Sequence, residues 1–199
     1  MKQTGVQADC PIAFMDSAEG VLHKGGKTMD VHAELLNLKQ VVDAALAGFH
    51  KEEMHLLEQD LSERCICARF ALHLTEALRN TPYKGYFVDV EYNRGADGHE
   101  RAVKRLDDTP ITVDLIVHKR GRNCRYSFDN LICVEMKKTA SHRSCASAEA
   151  RLRAMTDGPH GFQYKLGVML LIDTRAAEVR IKSLFQDGMQ LDPSSLSVL

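Results

Sequence analysis

The 199-residue sequence has no apolar run longer than Val168-Met-Leu-Leu-Ile172. A helix needs about 20 apolar residues to cross a bilayer, so no membrane partner is expected. Nor does an apolar signal segment follow the opening Met1-Lys-Gln-Thr-Gly5, which makes a soluble, cytoplasmic protein the expectation. Among the six cysteines, Cys10, Cys65, Cys67, Cys124, Cys133 and Cys145, there is no Cys-x-x-Cys pair. No Cys/His cluster has the spacing of a zinc finger either, so the cysteines are read as small apolar residues. Strong positive charge is missing too, since the net charge is −1; this argues against a strongly basic DNA-binding protein. No internal repeat or low-complexity tract is present.

What the sequence does contain is charge laid down unevenly. Residues 1–60 carry 5 Lys/Arg against 10 Asp/Glu, whereas residues 117–153 carry 9 against 3. The basic segment starts with His118-Lys-Arg-Gly-Arg122 and runs through Lys137-Lys138 to Arg151 and Arg153. A polyanion-binding cleft would show this pattern; an ordinary solvated face is the competing account. The length suits one domain with a full core. Residues 1–28 are read as a loosely held lead-in, 29–185 as a single domain with its core from about 52, and 186–199 as a frayed tail.

Periodicity fills in the elements. From Met29 to Phe49, Val31, Leu35, Leu38, Val42, Ala45 and Leu46 recur at helical steps, with Gly48 as the terminator. A second helical stretch runs from Glu52 to Arg79 with a break near Asp60. Leu57, Leu61, Ala68 and Leu72 form one apolar row on it, and Cys67, Phe70, Leu74 and Leu78 another. Strands follow at Tyr86–Tyr92, Ile111–Val117 and Leu131–Lys137, the first two separated by a polar loop, the last two close enough to be antiparallel neighbours. Thr139–Met155 suits a crossover helix into a buried strand at Leu166–Ile172, giving a right-handed βαβ unit, and Glu178–Phe185 alternates as an outer strand. The fold class expected is α/β: an αβββαβ core with a mixed sheet flanked by helices, plus an extra N-terminal helix.

Against those apolar strands, three charged residues stand out: Asp114, Glu135 and Lys137. Side chains alternate along a strand, so Glu135 and Lys137 share a face while Val134 and Met136 take the other. An acid in one strand, a spacer of residues 115–134, then Glu-x-Lys closing a second strand is what phosphodiester hydrolysis with Mg²⁺ asks for. One or two carboxylates hold the ion, and phosphate and water complete its octahedron. Asp114 and Glu135 are the candidate carboxylates, the Met136 carbonyl a further oxygen, and Lys137 the group that orients or deprotonates water or pairs with phosphate. The blander account is a salt bridge between Glu135 and Lys137 at a strand end, with Asp114 capping a turn. Glu63 has two readings, as an auxiliary acid directed at the sheet edge or as the partner of an Asp60 N-cap in a capping box. Glu91 is read as a cross-strand partner for a basic residue before a supporting acid. Tyr164 is either a base-stacking residue or a half-buried tyrosine.

These positions and the element order resemble the PD-(D/E)xK nuclease superfamily, the restriction-endonuclease-like fold. Leu56-Leu-Glu-Gln-Asp-Leu-Ser-Glu-Arg64, Val90-Glu-Tyr-Asn-Arg94, Val113-Asp-Leu-Ile-Val-His-Lys-Arg-Gly121, Leu131-Ile-Cys-Val-Glu-Met-Lys-Lys138 and Tyr164-Lys-Leu-Gly167 look like a group of bacterial and phage nuclease-like proteins, over residues 50–185. The resemblance implies metal binding by Asp114 and Glu135, a catalytic Lys137 and Glu63 as the auxiliary helix acid. It implies Mg²⁺, with Mn²⁺ as substitute, and cleavage of DNA as an endonuclease. Lys119, Arg120, Arg122, Lys138 and Tyr164 are the candidate nucleic-acid contacts. The chain departs from the pattern at Val113, where a proline often precedes the first acid. The alternative is a catalytically silent module that binds nucleic acid or a protein partner through the acidic N-terminal half. A homodimer would suit two-strand cutting, but no interface is legible.

Overall fold

The computed structural model describes residues 30–96, 99–106, 108–120, 129–139, 142–158 and 162–196. Arg122 lies outside the described residues, as does the lead-in before Asp30. Helix α1 (Val31–Glu52) is followed by a short α2 (Met54–Glu58) and by α3 (Glu63–Leu78). Strand β1 (Phe87–Val90) precedes two small hairpins, β2 (Arg94–Ala96) with β3 (His99–Val103) and β4 (Arg105–Leu106) with β5 (Thr109–Pro110). Next come β6 (Leu115–His118), β7 (Asn130–Lys138), α4 (His142–Thr156), β8 (Leu166–Asp173), β9 (Glu178–Gln186) and β10 (Met189–Leu191), then a 3₁₀ turn at Pro193–Leu196. The main sheet has the order β1-β6-β7-β8-β9-β10. All its neighbours are antiparallel except β7 and β8, which are parallel and joined by α4. The α/β class and the mixed sheet flanked by helices are therefore as expected.

Alternation along β7 decides how the layers are assembled. Ile132, Val134 and Met136 join the core that α1 and α3 cover, whereas Cys133 lies with Ala148, Leu152 and Met155 of α4 on the opposite face. Burying both faces explains the nearly unbroken apolar runs of β7 and β8. Glu135 and Lys137 fall on the α4 side, where β7 runs out of the core.

Several expectations change. Helix α1 does not stop at Gly48: a Cβ there would come within 3.0 Å of His73 Nδ1, so the glycine serves the close approach of α1 and α3. The row Cys67, Phe70, Leu74 and Leu78 is buried, but Ala68 and Leu72 face outward, Leu72 being 55% exposed. The polar loop before Ile111 contains the two hairpins. Strand β9 is not outermost, because β10 pairs with it through Met189, Gln190 and Leu191. Leu196 is buried against the core, so the tail is tied down as far as the turn.

Candidate functional site

The break after α2 sets up the site. Asp60 takes a left-handed backbone conformation (φ 50°), reversing the chain so that α3 begins at the C-terminal end of β7. The N-cap of α3 is Ser62, whose hydroxyl accepts from the Cys65 amide at 3.3 Å; Asp60 is not the cap. Free of a capping box, the Glu63 carboxylate reaches the strand end. Its Oε2 accepts from the Lys138 amide at 3.1 Å and its Oε1 from the Lys137 amine at 2.6 Å.

Asp114 precedes β6 where the chain diverges from β7, and its side chain takes over a ladder bond, Oδ2 accepting the Met136 N–H at 2.7 Å. The Asp114 carbonyl accepts from the Glu91 amide at 3.0 Å and faces the Cys67 thiol at 3.7 Å. These contacts fix the acid at the strand end.

Lys137 lies at the centre. Its Nζ is 2.6 Å from Glu63 Oε1, 2.7 Å from the Met136 carbonyl oxygen, 3.4 Å from Asp114 Oδ2 and 3.7 Å from Glu135 Oε2. Burial pulls the amine toward lower pKa, but Glu63, Asp114 and Glu135 outweigh it and hold Lys137 above the ordinary lysine value. Glu135 is only 1% exposed. Burial pushes its carboxyl above the usual range; Arg151 opposes that, and the Asp114 charge adds to it. Arg151, from α4, donates Nε to Glu135 Oε1 at 2.6 Å and a terminal nitrogen to Oε2 at 2.8 Å, the planar fork that suits a carboxylate. In the sequence Arg151 reads only as part of a basic segment, because its role follows from α4 folding back across β7.

Asp114, Glu135, Lys137, Glu63 and the Met136 carbonyl are thus brought together beside a cleft of about 430 Å³ lined by Glu63, Cys67, Glu91 and Asp114. Among the described residues, no three His, Cys, Asp or Glu side chains close on one point as a metal cage; the acids surround the Lys137 ammonium instead. Their donor atoms are all hard oxygens, and the ammonium shows that they already accommodate a cation. Mg²⁺ takes such donors with one or two carboxylates and fills its other positions with water and phosphate. Asp114, Glu135 and the Met136 carbonyl could therefore hold it.

The expected nucleic-acid contacts fare differently. Lys138 donates to the Asp60 carboxylate at 2.7 Å, which ties the α2–α3 break to the strand end. Tyr164 is 1% exposed and its hydroxyl accepts from buried Lys104 at 2.8 Å, so it offers no face for a base to stack on. Lys119 and Arg120 follow the far end of β6, roughly 16 Å or more along the strand from Asp114 at about 3.3 Å per residue. Lys119 donates to the Gly85 carbonyl at 3.1 Å, and Arg120 pairs with Asp89, which also meets His118 at 2.8 Å. The stretch at 118–120 does not bracket the acids. Glu91 does neutralise a basic residue, but the partner is Arg64 of α3, at 2.9 Å, not a cross-strand neighbour.

No protein-family model matches the chain and no curated protein matches it. The solved structure described as "Crystal structure of SSO0001" is weakly similar, with a TM-score of 0.29 and 15% identity, covering 82% of this chain and 79% of that chain. So low a score carries no weight for fold or chemistry. Among the described residues, no helix is long and apolar enough to cross a membrane.

Proposed function

We propose that this chain is a divalent-cation-dependent nuclease of the PD-(D/E)xK type, with DNA as its substrate. The observation that carries the reading is the Lys137 amine within 3.7 Å of Glu63, Asp114, Glu135 and the Met136 carbonyl at the end of one strand. The order α3, β1, β6, β7, α4, β8, with β7 and β8 parallel, supports a restriction-endonuclease-like core.

Mg²⁺ held by Asp114, Glu135 and the Met136 carbonyl would supply charge neutralisation at the phosphate and a more acidic water. Lys137 is held protonated by its acids, so its part is to orient the attacking water or neutralise a phosphate oxygen rather than to remove a proton. Glu63 keeps the amine aimed at the strand end. Half-buried surroundings strengthen each of these charge interactions over their value in water.

The test is incubation of supercoiled, linear and branched DNA with Mg²⁺ or Mn²⁺, with Lys137→Ala alongside. Cation-dependent cutting by the parent and a loss of about 100-fold or more in the variant are expected. Equal cutting by both proteins, or none by the parent on DNA or RNA, would contradict the reading. One observation favours a second account, a silent nuclease-like module that binds nucleic acid or a protein partner: both oxygens of Glu135 are taken by Arg151. That account expects binding without cutting, and binding that survives Asp114→Ala.

A further inference from the structure

Glu135 and Arg151 present a conflict that the nuclease reading has to resolve. The acid that should ligate a cation gives both carboxylate oxygens to a guanidinium, at 2.6 and 2.8 Å. The two residues differ in freedom. The Glu135 side chain is 1% exposed and enclosed by the sheet and α4, whereas the Arg151 side chain is 32% exposed. A further guanidinium nitrogen donates to Ser147 Oγ, one helical turn back on α4, at 3.1 Å. Arg151 therefore has a path toward solvent along its own helix, and Glu135 has none.

Charge balance points the same way. Glu63, Asp114 and Glu135 contribute three negative charges, all paired with Lys137, and Arg151 adds a second positive charge through Glu135. The cluster has a formal charge of −1. A divalent cation would bring it to +1 and a bound phosphodiester would restore neutrality. Arg151 thus repels the cation at short range, while a guanidinium released from Glu135 matches the paired oxygens of a phosphate.

We propose that Arg151 is an internal counter-cation that clasps Glu135 in the resting site, yields it when a divalent cation binds, and then serves as a phosphate-positioning residue. This rests on the nuclease reading and adds a regulatory step to it. The clasp holds the Glu135 carboxylate in place while no cation is bound, and it sets the cation affinity below what the three acids alone would give.

Mn²⁺ binding measured by electron paramagnetic resonance on the full chain tests this without reference to turnover. Arg151→Met should tighten Mn²⁺ binding roughly tenfold or more, and cleavage at saturating Mn²⁺ should fall in the same protein. Arg151→Lys keeps the charge but loses the fork, so its Mn²⁺ affinity should lie between those of the parent and the Met variant. A merely supporting arginine would give weaker binding on removal, and that result, or equal affinity in all three proteins, overturns the proposal. If circular dichroism finds Arg151→Met unfolded, the Lys variant decides: tighter binding than the parent supports the clasp, unchanged or weaker binding refutes it. Mn²⁺ binding and cutting by the parent with no response to Arg151 would sink this inference alone. No Mn²⁺ binding by any of the proteins would sink the nuclease reading with it.

Discussion

Burial by itself would make Lys137 shed its proton more readily than an exposed lysine, and the acids around it reverse that. Asp114 has a double use in this arrangement, as an acceptor for the Met136 amide and as a charge beside the amine. Asp114→Asn separates the two, because the amide oxygen can still accept the ladder bond. Its stability in urea should stay within about 1 kcal/mol of the parent, while cation-dependent cleavage is lost; retained cleavage would remove Asp114 from the site. Lys104, which is buried, behaves oppositely. Lys104 is 4% exposed, among the Tyr92, Phe162 and Tyr164 rings, and burial lowers its pKa to about 8. Between that value and the ordinary lysine value near 10.5, the unfolded chain binds the proton and the folded chain does not, so stability rises with pH across the window. Relative to Lys104→Met, the parent should gain roughly 2–3 kcal/mol from pH 8 to 10.5. Parallel stability curves for the two proteins would show that Lys104 does not titrate there.

At the scale of elements, α3 and β7 meet because Ser62 starts the helix where Glu63 can face the strand end. Ser62→Ala should cost about 1 kcal/mol and speed amide exchange at Cys65, with the loosened Glu63 lowering cleavage several-fold; an unchanged exchange rate would mean the cap does not hold that turn. Strands β7 and β8 were legible because apolar runs buried on both faces leave no other fit, and the short connection and the crossover helix set their pairing. The hairpins β2–β3 and β4–β5 were not, since strands of two to five residues carry no readable period. Gly48 differs for another reason: in the sequence a mid-helix glycine looks like a terminator, and only His73 on another helix explains it. Tyr164 reads from sequence as either a stacking residue or a half-buried tyrosine, because the core it joins and its bond to Lys104, 60 residues away in sequence, leave no local signal. Arg151 had no sequence signal as a partner of Glu135, because the contact exists only once α4 covers β7.

Over the whole molecule, the uneven charge resolves into two ends of one sheet. The cluster of Asp114, Glu135 and Lys137 lies at the C-terminal end of β7, and the Asp89–His118–Arg120 group at the other. Among the described residues of the basic stretch 117–153, Lys119 and Arg120 therefore lie apart from Lys137 and Arg151, which Glu63, Asp114 and Glu135 balance. The proposed function requires Asp114, Glu135 and the Met136 carbonyl to form a single cation-binding centre. Anomalous X-ray diffraction from crystals soaked in Mn²⁺ measures that most directly. An anomalous peak against the Asp114 and Glu135 carboxylates, with Arg151 turned away from Glu135, is the predicted result. At saturating Mn²⁺, no peak between those two residues, or a peak held by other residues alone, would contradict it.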